Sequence, residues 1–190
     1  MSGTLQQKVM PTTTPVMEEK PKIDEEYVMI KMMEQNLEGV MFHLFEVDFY
    51  NLFDLKGFSA MHKYQSRQEM GNLGRLKNEY IKKYNKLPQI ETEYTDYWKD
   101  NKGLYKGISH EEISELVKNS IKKYADWETE VLEHLLKWKR NSSERELIHN
   151  MVEDVMKELK QVETLIDILE EHNYNYECIC ELSEYLERRF

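Results

Sequence analysis

Turn-forming residues, cysteines and long apolar runs are all scarce in this chain. Its 190 residues include 7 Gly, 4 Pro and 2 Cys, whereas 33% of the residues are charged and 40% are hydrophobic. That composition is typical of a chain rich in long helices with enough apolar surface to form a core. Because no stretch approaches the ~18 consecutive apolar residues of a transmembrane helix, we expect no membrane span.

Positive charge is also in the minority, and the two cysteines do not suit a disulfide framework. The 26 basic and 36 acidic side chains give a net charge of −10, which argues against nucleic acid binding. Cys178 and Cys180 are separated by a single residue, so we expect reduced thiols in a cytoplasmic protein. Residues 1–22 contain three prolines and no apolar stretch. We predict a flexible tail there, rather than a signal peptide, followed by one domain over residues 23–190.

Apolar periodicity and capping residues predict four long helices and a short fifth helix. Asp24 is the expected N-cap of the first helix. Ser109-x-x-Glu112 and Ser143-x-x-Glu146 are capping boxes that should open the third and fourth helices. The predicted helices span about residues 24–51, 56–84, 109–138, 143–171 and 176–188.

The lengths of the connections predict how these helices are arranged. Short turns join the first helix to the second and the third to the fourth, so each pair should be antiparallel. Residues 88–108 begin with Pro88 and lack helical periodicity, and a connection of this length usually crosses from one end of a bundle to the other. We therefore predict an all-α up-down four-helix bundle with one long crossover and a short C-terminal fifth helix.

Four glutamates lie on the faces where the long helices should bury aliphatic side chains. They are Glu34, Glu69, Glu128 and Glu158, one near the middle of each helix. With a rise of about 1.5 Å per residue, each lies roughly 15–25 Å from the turn that closes its helix pair, so all four can meet at mid-bundle. An unpaired buried carboxylate costs several kcal/mol or becomes protonated, so a metal ion between them is the economical prediction. The buried face predicted for the first helix consists of Tyr27, Ile30, Glu34, Leu37, Met41, Leu44 and Phe45.

Several local patterns resemble those of ferritin and occur in the order of that family. Residues 55–69 read LKGFSAMHKYQSRQE, which is similar to the LKGFAKFF…QSxEE pattern of the second ferritin helix. The comparison needs no gap from Glu34 to Gln65 and covers about residues 24–188, although residues 88–114 are longer than the connection in the family. Weaker similarities are ETEVLEHL from Glu128, QV at Gln161 and LSEYL at residues 182–186.

The resemblance implies a di-iron centre inside the bundle. Ferritin-like bundles hold iron with a Glu from each of two helices and Glu-x-x-His pairs from the other two. As the resemblance implies, Glu34, Glu69 and Glu128 would carry the oxidation of Fe(II), the ferroxidase reaction. The implied metal ligands are Glu34, Glu69, Glu128, Glu158 and Gln161.

Three positions depart from the family pattern. Asn72 stands where the second helix has its metal-binding His, and Gln68 stands where the acid before Glu69 is expected. Met41 replaces a tyrosine that many ferritins place near the centre. Since an amide oxygen is a much poorer iron ligand than imidazole, we expect weakened ferroxidase activity.

The resemblance thus implies an iron-storage subunit that binds Fe(II) and deposits ferric mineral inside a closed shell of roughly 24 subunits, alone or mixed with another ferritin subunit. A first alternative is a catalytically silent storage or structural subunit that depends on a partner subunit for iron oxidation. Others are a ferritin-fold protein that no longer handles iron, with its glutamates protonated or paired with Lys, and a di-iron oxygenase. The simplest is a plain helical bundle with accidental acids.

Overall fold

The computed structural model describes residues 24–92, 107–141 and 145–190, and every regular element within them is an α-helix. The tail over residues 1–22, most of the 88–108 connection and the Ser143 end of the second capping box lie outside the described residues. The predicted helix bounds are confirmed closely, with the largest difference at α3, which continues to Asn141. The helices are α1 (Glu25–Leu52), α2 (Lys56–Tyr84), α3 (His110–Asn141), α4 (Arg145–Glu171) and α5 (Tyr176–Glu187).

Polar caps fix the starts of two of the predicted helices. Asp24 accepts a hydrogen bond from the backbone N–H of Glu26 at 3.0 Å and thereby caps α1. The first capping box is formed at α3, where the Ser109 N–H donates to Glu112 at 2.7 Å and the Glu112 N–H donates to Ser109 at 3.2 Å. These bonds satisfy backbone donors that have no partner inside the helix.

Contacts between helix ends give the directions within each pair. Lys83 Nζ lies 2.9 Å from a Glu25 carboxylate oxygen, which joins the end of α2 to the start of α1. Lys122 Nζ lies 3.5 Å from a Glu170 oxygen, which joins the start of α3 to the end of α4. Both helix pairs are therefore antiparallel, as the short connections predicted.

Two hydrogen bonds orient α1 against α3. Gln35 Nε2 lies 3.1 Å from His134 Nδ1, and the Tyr50 hydroxyl lies 2.8 Å from the Ser120 hydroxyl. Because the residue numbers rise along α1 while they fall along α3, these two helices are also antiparallel.

The fifth helix packs directly on the start of α2. The Gly57 N–H donates to Ser183 Oγ at 3.0 Å. A Cβ atom on Gly57 would lie 1.7 Å from the Ser183 carbonyl oxygen, so only glycine permits this approach of the two backbones.

The buried face of α1 differs from the predicted one. Tyr27 and Leu44 were expected to point inward, but they are 54% and 45% exposed. Glu34 is buried as expected, whereas Met29, Val40 and His43 supply much of the inward face. The prediction was wrong because apolar side chains occur almost all around this helix, so periodicity alone does not select one stripe.

Two apolar clusters fill the interior and leave a polar layer between them. One cluster, at the α5 end, includes Phe58, Tyr124 and Leu169, and the other includes Met29 and Leu135. Each fully buried side chain of this size contributes about 1.5–3 kcal/mol relative to exposure. Glu128 on α3 and Glu158 on α4 lie at the boundary between the two apolar clusters. Within the described part of the chain, no helix combines the length and apolar character that a membrane crossing requires.

Candidate functional site

Three of the four predicted glutamates come together in the polar layer. Glu69 on α2, Glu128 on α3 and Glu158 on α4 act on one another electrostatically, and we call them the carboxyl cluster. Glu128 is 0% exposed and Glu69 is 9% exposed, while Glu158 is partly exposed. Three separate helices thus bring carboxyl groups into one buried region.

Burial and mutual repulsion keep protons on the carboxyl cluster. Burial raises the pKa of Glu69 to about 8, and the charges of Glu158 and Asp154 add to the rise. Burial likewise raises the pKa of Glu158 to about 7, again with a contribution from Asp154. The pKa of Glu128 is held well above its ordinary value by burial first and by the other two glutamates second. A cation that binds here must displace these protons.

Several polar atoms in this region have unused hydrogen-bonding capacity. Among the described residues, the Glu128 carboxyl group has no hydrogen-bond partner other than the carboxyl group of Glu158. Gln161 Nε2 is a buried atom without a partner, and the side chains of Gln65 and Tyr124 have only each other. Buried polar atoms are normally satisfied, so this unused capacity indicates a place where a ligand would gain contacts.

Three residues near the carboxyl cluster were missed as site residues by the sequence interpretation. Gln65, Tyr124 and Asp154 each precede a cluster glutamate by four positions on the same helix. Residues four apart lie on the same helix face, so this spacing was a signal that could have identified all three.

The structure places Glu34 in a different environment from the other glutamates. Its carboxylate accepts a hydrogen bond from Lys31 Nζ at 2.6 Å and another from the backbone N–H of Glu91 at 3.2 Å. Opposite Glu69, α1 instead presents Gly39, and a Cβ atom there would lie 3.2 Å from the Glu69 carboxyl carbon. The predicted part played by Glu34 in the centre therefore requires it to leave Lys31.

Asn72 and Gln161 also have defined positions. The Asn72 side-chain oxygen accepts a hydrogen bond from Arg75, so it is engaged on the surface of α2. Gln161 lines a cavity of about 370 Å³ together with Gln65, Asp154 and Glu158. That cavity is open to solvent and gives small solutes a path to one side of the carboxyl cluster.

The side chains do not form a metal-coordination shell as they stand. Across residues 24–92, 107–141 and 145–190, no three acid, histidine or cysteine side chains converge closely enough to hold a metal ion. The available donors are carboxyl and amide oxygens, which suit hard divalent cations. A cation would have to draw the carboxyl groups together in order to be held by all three.

The two thiols are free, as predicted from their spacing. A scan against protein-family models and a search of curated proteins found no match to this chain.

Proposed function

We propose that this chain is a ferritin-like subunit that takes up Fe(II) at the carboxyl cluster and delivers it as ferric mineral into an oligomeric shell, with weakened ferroxidase activity. Iron is the cargo and the substrate in this proposal. The observation that carries it is the carboxyl cluster itself. Within the described residues, every charged group that shifts the pKa of Glu69, Glu128 or Glu158 is another acid. A buried set of acids without a counter-charge either keeps its protons or binds a cation that displaces them.

The order and direction of the helices support the same proposal. The end of α2 lies beside the start of α1 through Lys83 and Glu25, whereas Ser120, near the start of α3, contacts Tyr50 near the end of α1. The connection between α2 and α3 therefore joins opposite ends of the helical assembly. A bundle with one long crossover and a short fifth helix is the arrangement expected of a ferritin-like protein.

The donor set fits iron uptake better than fast iron oxidation. Glu69, Glu128 and Glu158 would bind Fe(II), and Gln161 would complete the shell from the solvent-facing side. Dioxygen would accept the electron that each Fe(II) loses. Glu34 is held by Lys31, and Asn72 supplies no imidazole, so the second iron position would be weakly held. Free thiols suit a reducing compartment such as the cytoplasm.

A second candidate, a silent storage subunit that relies on a partner subunit for oxidation, is favoured by two contacts. Lys31 neutralises Glu34, and Arg75 engages Asn72, so two positions that the family uses for iron are occupied by internal partners. Such a subunit would still bind Fe(II) at the carboxyl cluster but would not accelerate its oxidation.

The test separates binding from oxidation in the full chain. Anaerobic Fe(II) binding is measured by titration calorimetry, and aerobic oxidation is followed optically at a few equivalents of iron per chain. E69Q and E128Q are compared with E163Q, a matched control because Glu163 is an exposed glutamate on α4. We expect E69Q and E128Q to weaken Fe(II) binding by roughly ten- to a hundred-fold, and E163Q to bind like the parent protein.

The outcomes distinguish the two candidates from a structural role. Oxidation faster than buffer and lost in E69Q supports an active centre. Binding without oxidation supports the silent subunit. Equal iron binding in E69Q, E128Q and E163Q, or no binding by any of them, would show that the carboxyl cluster does not take up iron.

A further inference from the structure

Two histidines form a second buried polar site, next to the carboxyl cluster but with different chemistry. His43 on α1 and His62 on α2 are both 0% exposed, and their Nδ1 atoms lie 3.0 Å apart. The ring of Tyr124 lies 5.2 Å from that of His43 and 5.0 Å from that of His62, measured between centroids, while the two imidazoles are 5.2 Å apart. Three rings that carry nitrogen or oxygen donors thus form a compact triangle inside the helix bundle.

The hydrogen bonding of this pair is incomplete. Of the two Nδ1 atoms, one must donate a proton to the other, so each imidazole uses only one of its nitrogens. Among the residues that the structure describes, both Nε2 atoms lack a hydrogen-bond partner. A histidine that serves only the core usually has its second nitrogen fixed by a carbonyl or carboxylate. In this pair, no partner of Nε2 fixes which ring nitrogen carries the proton. Both Nδ1 lone pairs are therefore able to bind the same ligand.

We propose that His43 and His62 chelate one first-row transition-metal ion through their Nδ1 atoms, with Cu(II) preferred. At metal–nitrogen distances of about 2.0–2.1 Å, the 3.0 Å separation corresponds to an N–metal–N angle of about 95°. That angle is close to the 90° between neighbouring ligands in tetragonal Cu(II) sites, and imidazole is a good copper ligand. Copper also stands highest in the affinity order of the divalent first-row ions.

The surroundings decide how tightly the ion is held. Burial lowers the pKa of both histidines, so both are neutral and carry free lone pairs at neutral pH. When the ion binds, the ring that donated the Nδ1 proton carries it on Nε2 instead, so no net proton is released. Within the described ranges no further acid, histidine or cysteine completes a metal shell, so water or another small ligand would fill the remaining positions of the ion.

The charge of the ion needs compensation in a buried site. Glu46 follows His43 by one helical turn on α1 and is 1% exposed, so it would supply part of this compensation by ionising when the ion binds. The Nε2 protons would have no acceptor after binding, and this limits the affinity because metal-bound histidines normally donate from the second nitrogen.

The experiment isolates the buried pair from the other histidines. Of the six histidines, four lie elsewhere, at positions 110, 134, 149 and 172. A full-length variant H110Q/H134Q/H149Q/H172Q keeps only the buried pair, so any imidazole signal in its Cu(II) electron paramagnetic resonance spectrum must come from His43 and His62. The single variants H43Q and H62Q, with H172Q as an exposed control, are titrated with Cu(II) by calorimetry.

We expect the fourfold variant to bind one Cu(II) with nitrogen hyperfine structure from two imidazoles. We expect H43Q and H62Q to weaken this binding by roughly ten- to a hundred-fold, and H172Q and E163Q to leave it unchanged. Cu(II) binding without imidazole nitrogen in the fourfold variant, or equal affinity in H43Q, H62Q and the parent protein, overturns the proposal. If H43Q and H62Q do not fold, the electron paramagnetic resonance spectrum of the fourfold variant tests the proposal by itself. Because the carboxyl cluster contains no imidazole, the nitrogen hyperfine structure reports on the histidine pair alone, and failure of one proposal is distinguishable from failure of the other.

Discussion

Two buried glutamates, Glu46 and Glu128, show how local partners change the effect of burial on the pKa of a carboxyl group. Both are almost fully inaccessible, at 1% and 0% exposed, and burial raises the pKa of both. Glu46 accepts a hydrogen bond from Ser120, and the charge of Lys123 also stabilises its ionised form, so its pKa rises only to about 7. Glu128 has acids as its charged neighbours, and its pKa stays well above the ordinary value. Glu46 is thus satisfied within the fold, whereas Glu128 is suited to a ligand that the fold does not supply.

The largest expected effect is the pH dependence of stability of the cation-free protein. Acids with raised pKa values keep their protons in the folded state after the unfolded chain has lost them, so stability falls as pH rises toward the folded pKa values. Burial lowers the pKa of His43 in the folded state to about 3, so this residue makes stability rise with pH below about pH 6.5. Above that pH the histidines are neutral in both states, and Glu69, with a pKa of about 8, still titrates.

We therefore expect the free energy of unfolding to fall between pH 6.5 and 8.5, by about 1.4 kcal/mol per pH unit for each proton retained. Urea unfolding followed by circular dichroism measures this slope. The E69Q variant should reduce the slope because it removes one titrating group. A flat profile, or a slope unchanged in E69Q, would mean that the carboxyl cluster is ionised without a cation.

The next largest expected effect is the difference in stability between variants of Glu46 and Glu128. E46L leaves the Ser120 hydroxyl, which also contacts the Tyr50 hydroxyl, without its buried acceptor, so it should destabilise the protein by about 1–3 kcal/mol. E128L removes a buried carboxyl group whose charged neighbours are other acids and should leave stability equal or higher, because replacing a buried charge that has no counter-charge by an apolar side chain is favourable. Chemical unfolding of both variants at pH 8 checks this. A loss in E128L as large as that in E46L would show that Glu128 has an internal partner.

Much of the fold was predictable because it depends on local signals. The bounds of α2 were predicted at Lys56 and Tyr84, and the caps at Asp24 and Ser109 formed as expected. These features follow from apolar spacing and from side chains that reach their own backbone. The antiparallel pairing of α1 with α2 and of α3 with α4 followed from the short connections between them.

The composition of the site was predictable only in part, because it depends on how the helices rotate against one another. The glutamates on α3 and α4 lie on faces with one clear apolar stripe, whereas Glu69 lies on a more polar buried face of α2, and the three meet. On α1, apolar residues occur on several sides, so the sequence did not reveal that Gly39 faces Glu69 or that Lys31 pairs with Glu34. The His43–His62 contact joins two helices and has no sequence signal at ligand spacing.

The smallest expected effect concerns Gly39, where α1 approaches the carboxyl cluster. Alanine favours the helix by up to about 1 kcal/mol over glycine, but its Cβ would lie 3.2 Å from two carbons of the Glu69 side chain. Glu69 can give way by a few tenths of an ångström because it is a flexible side chain, so we expect G39A to change stability by less than about 1 kcal/mol. The same shift moves one carboxyl away from the other two, and divalent cation binding should weaken several-fold. G71A is the matched control, since a Cβ atom on Gly71 meets no atom within 4 Å among the described residues. Cobalt(II) titration of both variants checks this, and equal binding by G39A and G71A would mean that the position of Glu69 does not control cation affinity.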